Sequence, residues 1–415
     1  MQSHIDHKSI LRNEKGMVLA VTLMLIAILV LLGTTAVMTV TTDMKIAANY
    51  RSSTQAFYIA EAGLEAARNQ LRTDIEASAL DSKVVISNLL DGRKGANSTL
   101  SDSTNILNFY GSGAFVTDDV PYIAQTSFGS GTYSVYLTND GTDGVTSLTD
   151  TNNKVTLTSI GQGPGNSLAI LQEVVQKLTV PTLPGAVVLP GPNVIFNGAN
   201  SNASGIAGDT ESAISTTSSA AENTILASLS GPPTRLPNYT CEAGSGNDCI
   251  NSEPTNFGPE WSTVAGIESL AATFRSAADT DIPGPGPYTL TAVQIGNISD
   301  RKIVYVDGDA TIDSINGAGI LIVTGQLTLK GNFSYNGLIM CIGKGSLYRS
   351  GAGSGQTIGS IFTAQTRDSS GNHLSTLGTP TFDTSGGGSS DIRYDASALS
   401  NAGGSKFVKK SWQQI

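Results

Sequence analysis

Histidine, cysteine and charge are all scarce in this chain. Its 415 residues include three cysteines and three histidines, which are His4, His7 and His373. Two of the histidines precede residue 17, so the rest of the chain has almost no histidine with which to build a metal site or a catalytic triad. Charged residues make up 14% of the sequence, against roughly 25% in ordinary soluble proteins. The net charge is −10 without a basic stripe, which argues against nucleic acid as a partner.

Long apolar stretches are not lacking. Residues 17–40 read MVLAVTLMLIAILVLLGTTAVMTV and contain no charged side chain. About 20 such residues cross a lipid bilayer as a helix, whereas the apolar core of a secretory signal has about 7–15. Basic residues precede the stretch, so we expect a cytoplasmic amino terminus and an exported remainder. The stretch is either an uncleaved anchor or the start of a mature chain that is cut between Gly16 and Met17.

Helical spacing continues beyond this stretch. No proline occurs between residues 17 and 80, and apolar or small residues recur every three or four positions. These positions are Phe57, Ala60, Leu64, Ala67, Leu71 and Ile75. We predict one helix over residues 17–80, about 90 Å long as far as Ile75. Its first half is apolar all round, and its second half is expected to pack on a globular domain.

The segment from KGMVLAVTLMLIAIL to AFYIAEAGLEAARNQL resembles the amino-terminal region of PilX-type minor pilins of type IV pilus systems. The resemblance covers residues 1–75, and AFYIAEAGLEAA is its most distinctive part. The family-like motif consists of Ala60, Glu61, Ala62 and Gly63. The resemblance implies a prepilin leader at residues 1–16, cleavage after Gly16 by a prepilin peptidase, and N-methylation of Met17.

The fifth mature residue departs from the pattern of major pilins. Those pilins usually have Glu there, which pairs with the terminal amine of a neighbouring subunit in the pilus core, whereas this chain has Val21. The same loss is known in PilX-like pilins and in one class of secretion pseudopilins. The resemblance therefore implies a subunit at or near the pilus tip, with no partner above it. The alternative is that an apolar bundle simply tolerates an apolar residue.

Residues 81–183 have the pattern of a β-rich, pilin-like headgroup. GTYSVYLTND and NKVTLTSIG alternate apolar and hydroxyl residues, which is typical of half-buried strands. The turn sequences NDGTDG and GQGPGN punctuate them. SLAILQEVVQKLTV predicts a further strand with Leu168, Ile170 and Val174 on one face, and a short helix is the alternative.

Residues 184–370 contain an internal repeat. An apolar residue is followed by glycine five positions later and by an apolar residue four positions after that, with starts at 303, 320 and 338. The triplets are Ile303-Gly308-Ile312, Ile320-Gly325-Leu329 and Leu338-Gly343-Leu347, with an earlier trace at Ala186-Gly191-Ile195. Asn316-Gly317 and Asn336-Gly337 are predicted to be equivalent corners. The repeat predicts a right-handed parallel β-helix, a solenoid of short rungs, and an antiparallel sandwich is the alternative.

The predicted fold class is therefore α+β: a long hydrophobic amino-terminal helix, a β-rich headgroup and a carboxy-terminal β-solenoid. Residues 200–301 are predicted to be an insertion in the solenoid, loop-rich at first and then helical. The helical face consists of Trp261, Val264, Ile267, Ala271, Phe274 and Ala278. Residues 371–415 read as a Gly/Ser-rich linker followed by a tail with one short strand.

Two groups of residues suggest chemistry. Cys241 and Cys249 bracket a short glycine-containing loop and are predicted to form a disulfide in an oxidising compartment, with two unlinked thiols as the alternative. Asp307, Asp309 and Asp313 suggest a glycan-cleaving pair or a calcium site, but we favour solvated turn residues. No phosphate loop, nucleophile elbow or metal-ligand spacing occurs, so we expect no catalysis, cofactor or metal.

Three classes of function remain open. The favoured one is a minor pilin, held in the inner membrane by one span with its bulk in the periplasm and later carried on the cell-surface pilus. Its expected partners are the lipid bilayer, the prepilin peptidase, other pilins and the pilus assembly platform, with assembly and adhesion to a surface or glycan as roles. The alternatives are a type II secretion pseudopilin and a membrane-anchored β-helix enzyme that acts on polysaccharide.

Overall fold

The computed structural model describes residues 8–78, 80–92, 120–144, 147–198, 204–351, 353–386 and 389–415. The first seven residues of the predicted leader and residues 93–119 of the predicted headgroup lie outside that description. The chain divides into two compact units. Unit 1 comprises Met1–Val175 and Lys409–Ile415, and unit 2 comprises Gln176–Val408. In the order of the chain, unit 2 is therefore an insertion within unit 1.

One helix, α1 (Lys8–Glu76), dominates unit 1 and is about 100 Å long. It begins before the predicted start and includes part of the predicted leader. A second helix, α2 (Ser82–Gly92), follows it. The predicted stripe is buried at every position except Phe57, which is half-buried. The buried residues of the stripe are Ala60, Leu64, Ala67, Leu71 and Ile75, and Ala56 and Ile59, which were not predicted, are buried as well.

Five strands form the sheet of unit 1, in the order β1-β2-β3-β4-β23. They are β1 (Ile123–Phe128), β2 (Gly131–Asn139), β3 (Lys154–Gln162), β4 (Leu168–Lys177) and β23 (Phe407–Gln414). The strands predicted from alternation are confirmed, and β4 is a strand rather than a helix. The predicted face of β4 is not the whole of its buried surface, because Leu171, Glu173 and Val175 on the opposite face are fully buried.

Small residues allow α1 to lie close to β3. A Cβ atom on Gly161 of β3 would lie 2.5 Å from the backbone nitrogen of Ala60 and 2.9 Å from its Cα. On the helix side, a Cβ on Gly63 would lie 3.0 Å from the Tyr133 ring and would overlap the hydroxyl of Ser159. Helix and strand are therefore in backbone contact at a point where neither has space for a larger side chain.

The carboxy-terminal strand β23 brings the end of the chain back to β4, where Ile415 N–H donates to the carbonyl of Ile170 over 3.0 Å. The side chain of Glu173 is 2% exposed and lies 3.4 Å from Nη1 of Arg68 and 3.9 Å from Nζ of Lys409. Burial raises the pKa of Glu173, and the two cations offset this only in part. A buried carboxylate therefore lies between the helix and the last strand.

Unit 2 contains two sheets. The large sheet has twelve strands: β5 (Gly185–Leu189), β7 (Ile206–Ala207), β8 (Ser212–Thr216), β9 (Tyr239–Cys241), β10 (Gly244–Ser245), β11 (Ile250–Ser252), β12 (Thr280–Ile282), β14 (Lys302–Val306), β16 (Asn316–Val323), β18 (Ser334–Cys341), β20 (Ser354–Thr363) and β22 (Ser389–Tyr394). The small sheet has six: β6 (Ile195–Asn197), β13 (Tyr288–Thr289), β15 (Ala310–Asp313), β17 (Gln326–Lys330), β19 (Ser346–Ser350) and β21 (Thr381–Asp383). Over the described residues, neither sheet closes on itself.

From β12 to β22 the chain alternates between the two sheets, and the strands within each sheet are parallel neighbours. The first positions of the three repeats are register partners: Ile303, Ile320 and Leu338. In the small sheet, Ile312 pairs with Leu329 as the repeat predicts. Leu347 instead pairs with Leu327, two residues earlier, so the third repeat is shifted there.

The predicted corners are wrong. Asn316-Gly317 begins β16 and Asn336-Gly337 lies within β18, where Gly337 pairs with Gly319 of one neighbour and Gly359 of the other. These three glycines have φ angles of 124° to 131°, a region that side chains disfavour. A Cβ on Gly337 or Gly359 would also overlap the carbonyl of the glycine beside it. The equivalent positions are therefore a ladder of glycines inside the strands.

The strands that come first in unit 2 are neighbours of the last repeat. Val187 of β5 pairs with Ile361 of β20, and Ile195 of β6 pairs with Thr381 of β21. Beyond β5 follow β8 and then β11. At the other end of the array, β12 is the edge strand of the large sheet and β13 is the edge strand of the small sheet. Residues 200–301 therefore contribute strands to both ends of the parallel array.

The helices described in unit 2 are α3 (Ser219–Leu229), α4 (Pro259–Ser262), α5 (Val264–Ser276), α6 (Ala292–Ile295) and α7 (Ala396–Ser400). Two 3₁₀ turns of unit 2 cover Leu236–Asn238 and Gly246–Cys249, and one in unit 1 covers Pro164–Asn166. The predicted helical face is buried at Trp261, Ile267 and Phe274. The helix is nevertheless divided, because Thr263 is extended with φ of −125° and its hydroxyl accepts a hydrogen bond from Gly266 N–H over 3.0 Å. Thr263 thus acts as the N-cap of α5.

Replacing Gly161 with alanine tests the close approach of α1 to β3. The added methyl group meets helix backbone, which cannot rotate away, so we expect unit 1 to lose about 1–3 kcal/mol of stability. Thermal unfolding and hydrogen exchange of the β2 and β3 peptides measure this. Gly141→Ala is the matched control, because a Cβ there meets nothing within 4 Å. Equal effects of the two substitutions would contradict the packing argument.

Replacing Glu173 with glutamine tests the buried carboxylate. The folded-state pKa of Glu173 is raised above 4.5, so its contribution to stability is complete below that value and is lost as pH rises through the folded-state pKa. We expect the unfolding free energy of the wild type, relative to Glu173→Gln, to fall as pH rises from 4.5 toward neutrality. Urea denaturation at several pH values measures the difference, and a difference independent of pH would refute the interpretation.

Candidate functional site

Residues 17–40, the apolar segment of α1, are exposed on every side. Met17 is 66% exposed and Val21 is 53% exposed. An 18-residue window of the helix has a mean hydropathy of 2.8, and none of it is buried. As a helix the segment is about 36 Å long, enough to cross the roughly 30 Å hydrocarbon core of a bilayer. Within the described ranges, α1 alone is long and apolar enough to span a membrane.

The threonine hydroxyls of the apolar segment are satisfied inside the helix. Thr22 donates to the carbonyl of Val18 over 2.9 Å, and Thr35 donates to that of Leu31 over 2.7 Å. Thr39 does the same one turn back, to the carbonyl of Thr35. Because these polar groups need no water, the whole segment can face lipid or other apolar helices.

The structure places the residues of the predicted processing site inside the exposed part of α1. A Cβ on Gly16 would meet nothing within 4 Å, so packing within this chain does not require glycine there. A glycine in a helix costs about 1 kcal/mol of helix stability relative to alanine. A glycine that has no packing role therefore suggests that something other than packing requires it. Val21 lies farther along the same exposed segment and offers no charge to a neighbouring chain.

The family-like motif occupies the place where α1 meets the sheet. Ala60 and Gly63 are buried against β3, Ala62 is half-buried, and Glu61 is exposed. The small residues of the motif thus have a packing role, because they permit the backbone contact with Gly161. The structure therefore separates the motif, which docks the helix, from the exposed end that carries Gly16.

The two predicted cysteine partners are joined in the structure. The sulfur atoms of Cys241 and Cys249 are bonded, with Cα atoms 5.5 Å apart. The bond closes the segment that contains the β9–β10 hairpin and a 3₁₀ turn. Cys341 is a fully buried free thiol whose pKa is raised by burial, and it packs in the core of unit 2.

Two aspartates of VDGDATID, Asp307 and Asp309, bond to residues that follow neighbouring strands. Asp307 accepts a hydrogen bond from the hydroxyl of Thr324 over 2.8 Å. Asp309 accepts a hydrogen bond from Nζ of Lys344 over 2.8 Å. Burial raises the pKa of Asp309, but this ion pair and a backbone hydrogen bond lower it by more. Asp313 accepts from the hydroxyl of Ser314. The contacts of Asp307 and Asp309 are typical of turn residues in a parallel array, whereas Asp313 ends β15 and bonds to the residue that follows it.

The loop after β2 holds a second acidic turn. Burial would raise the pKa of Asp140, but hydrogen bonds from Asn152, Thr142 and Lys154 outweigh it and hold the pKa far below its usual range. The carboxylate therefore stays charged and ties the loop together. Among the described residues, no group of three or more His, Cys, Asp and Glu side chains is arranged to hold a metal ion.

Sequence reasoning did not find the residues that receive the helix. Gly161 lies inside an alternating strand, one residue before its end, and glycine within a strand often marks close backbone approach, so this was the available signal. Glu173 had a comparable signal, since it is one charged residue inside an apolar alternation. The contribution of Tyr133 and Ser159 to the contact has no counterpart in the sequence pattern.

Comparison with known proteins gives a match at the amino terminus. Residues 15–65 match the protein family described as PilX N-terminal. The crystal structure of the competence-associated pilin ComZ from Thermus thermophilus aligns with 15% identity, 88% of this chain and 98% of that chain, at a TM-score of 0.20, too low to support an argument. No curated protein matches. The family match confirms the resemblance seen in the sequence: residues 15–65 of this chain are similar to the PilX N-terminal region.

Proposed function

We propose that this chain is a minor pilin, a structural subunit of a type IV pilus. One observation carries the proposal: a single helix is exposed and apolar over residues 17–40 and is docked on a sheet from Ala56 onward. Such a helix can lie in a bilayer before assembly and pack among the helices of other pilins afterwards, because both surroundings are apolar. The PilX N-terminal match over the same helix supports this assignment.

The proposal includes maturation by a prepilin peptidase. Cleavage after Gly16 would leave Met17 as a methylated amino terminus and remove the polar leader of residues 1–16. Before assembly the subunit would be held in the inner membrane with its amino terminus in the cytoplasm and its bulk in the periplasm. The bond between Cys241 and Cys249 suits such an oxidising compartment. Other pilins and the assembly platform in the inner membrane would be its partners.

We further propose a position at or near the pilus tip. The apolar segment has no carboxylate that could pair with the amine of a subunit above it, because Val21 stands where major pilins usually have Glu. A subunit that cannot make this pair is suited to initiating a filament. Tip placement would also present unit 2 to the medium, where adhesion to a surface or glycan would take place.

For unit 2 we propose a right-handed parallel β-helix. The regular alternation of the chain between two parallel sheets from β12 to β22 supports it. The register partners Ile303, Ile320 and Leu338 support equivalent rungs. Such an array buries its apolar face by stacking and leaves its turns free to vary, which is appropriate to a displayed domain.

Blocking the processing site tests the assignment. Replacing Gly16 with leucine puts a bulky side chain where the peptidase requires a small one, so we expect accumulation of the unprocessed chain. Mass spectrometry of the wild type should give an amino terminus at methylated Met17. Gly33→Ala is the matched control, since a Cβ at either glycine meets nothing within 4 Å. An intact Met1 in the wild type would rule out the pilin assignment.

Restoring the missing charge tests the tip position. In Val21→Glu we expect the subunit to move from the tip into the shaft, because the new carboxylate can pair with a neighbouring amine. Immunogold labelling along isolated pili measures the position, and Val21→Leu is the control. Unchanged position and pilus number in Val21→Glu would show that the residue is only tolerated. A strain without the protein that still makes normal pili would argue for display rather than assembly.

A further inference from the structure

Arg349 is a buried cation without a counter-charge. It lies on β19 and is 5% exposed. Its Nη2 donates to the carbonyls of Gly331 over 2.7 Å and of Gly353 over 3.2 Å. Its Nε–H has no acceptor, and the guanidinium pairs with no carboxylate among the described residues. Burial lowers the pKa of this guanidinium, as expected for a charge held away from water and anions.

The surroundings make space for the guanidinium. A Cβ on Gly355 would lie 2.6 Å from the carbonyl oxygen of Phe333, 3.0 Å from Nη1 and 3.2 Å from Nη2 of Arg349, so glycine at this position leaves room for the neighbouring backbone and for the guanidinium. Two carbonyl groups orient the head group from the other direction. Arg349 is thus held in one place by its neighbours. A buried unpaired charge costs several kcal/mol in an apolar interior, so a fixed charge of this kind calls for an anion.

A cavity adjoins Arg349. It has a volume of about 20 Å³ and is lined by Arg349 together with Phe333, Leu347, Thr357 and Phe382. About 10–15 Å³ is enough to accommodate one water-sized particle. The cavity therefore admits one water molecule or one halide ion, and it is too small for phosphate, sulfate or a carboxylate group. Its walls are mainly apolar, so they solvate the guanidinium of Arg349 poorly.

Asp391 also lines this cavity, but it does not neutralise Arg349. It is exposed, and its Oδ1 accepts a hydrogen bond from Gly205 N–H over 3.1 Å. The acidic group is therefore engaged at the surface, and the charge of Arg349 remains to be balanced from within the cavity.

We propose that the Arg349 cavity binds one small monovalent anion, with chloride as its ligand. The ion accepts the free Nε–H and neutralises the guanidinium. Because such an ion binds the folded unit and not the unfolded chain, chloride stabilises unit 2 by mass action. The site is independent of α1 and of the proposed function as a pilin.

Tryptophan fluorescence of the full chain in detergent tests the site. The sequence has two tryptophans, so Trp412→Phe leaves Trp261, fully buried in unit 2, as the reporter. At constant ionic strength, replacing gluconate with chloride to about 200 mM should raise the Tm of unit 2 by about 3 °C. Bromide should act alike. The same Tm in gluconate and chloride would overturn the proposal.

Two arginine variants separate the site from general salt effects. Arg349→Met removes the charge at similar volume and should abolish the chloride response. Arg301→Met should keep it, because Arg301 is a half-buried arginine that already donates to Oδ1 of Asn336 over 2.7 Å. A full response in Arg349→Met would contradict the proposal.

Diffraction gives an answer that does not depend on how the variants fold. Crystals of the wild-type chain grown in bromide should show an anomalous peak beside the Arg349 guanidinium. A water molecule at that position, without an anomalous signal, would overturn the assignment. A peak elsewhere on the surface but not in the cavity would identify an adventitious ion only and would equally refute it.

Discussion

The single unbroken helix α1 lies in two environments, because its first part is exposed and its second part is packed on a sheet. Its backbone contact with β3 lies where the packed part begins. Over residues 16–51, α1 is exposed all round, whereas Ser52 is half-buried and its carbonyl accepts a hydrogen bond from the hydroxyl of Ser167. From Ala56 onward it is held by close packing on Gly161 and by burial of aliphatic side chains, each worth about 1.5–3 kcal/mol. Because the anchor contributes nothing to this docking, one stripe of small and aliphatic residues must hold the helix on the sheet.

Unit 2 follows a different principle. Its core is assembled from many short strands whose apolar residues are buried only when the next strand lies beside them. The glycine ladder at Gly319, Gly337 and Gly359 fixes a bend at the same depth in three neighbouring strands. One side chain at any of them would collide with the backbone next to it, so the ladder constrains three strands at once.

Local patterns in the sequence predicted much of this architecture. The helical stripe and the strands of unit 1 depend on periodicities of three to four and of two residues, which need no knowledge of distant partners. The pairing of Val187 with Ile361 could not be predicted, because it joins segments far apart in the chain through a register that no local pattern encodes. The shift at Leu347 escaped for the same reason.

The candidate site was predictable to a different degree. The order of polar and apolar segments and the resemblance to pilins single out Gly16, Met17 and Val21 in the sequence, and their roles stay predictions. The physical role of the motif around Gly63 was not, because it depends on Gly161 and on the ring of Tyr133 across the interface. Nothing in the sequence predicted that Arg349 is buried, since one arginine in a strand is usually exposed.

The position of β23 has a consequence for the order of events in the cell. Ribosomal synthesis delivers α1 first and the residues of β23 last, after the whole of unit 2. Until those residues have been synthesised, β4 has an open edge and Glu173 lacks Lys409 as a neighbour. The sheet of unit 1 is therefore completed only after the whole of unit 2 has been made. A chain that stops within unit 2 differs from one that includes β23 at the very sheet that holds α1.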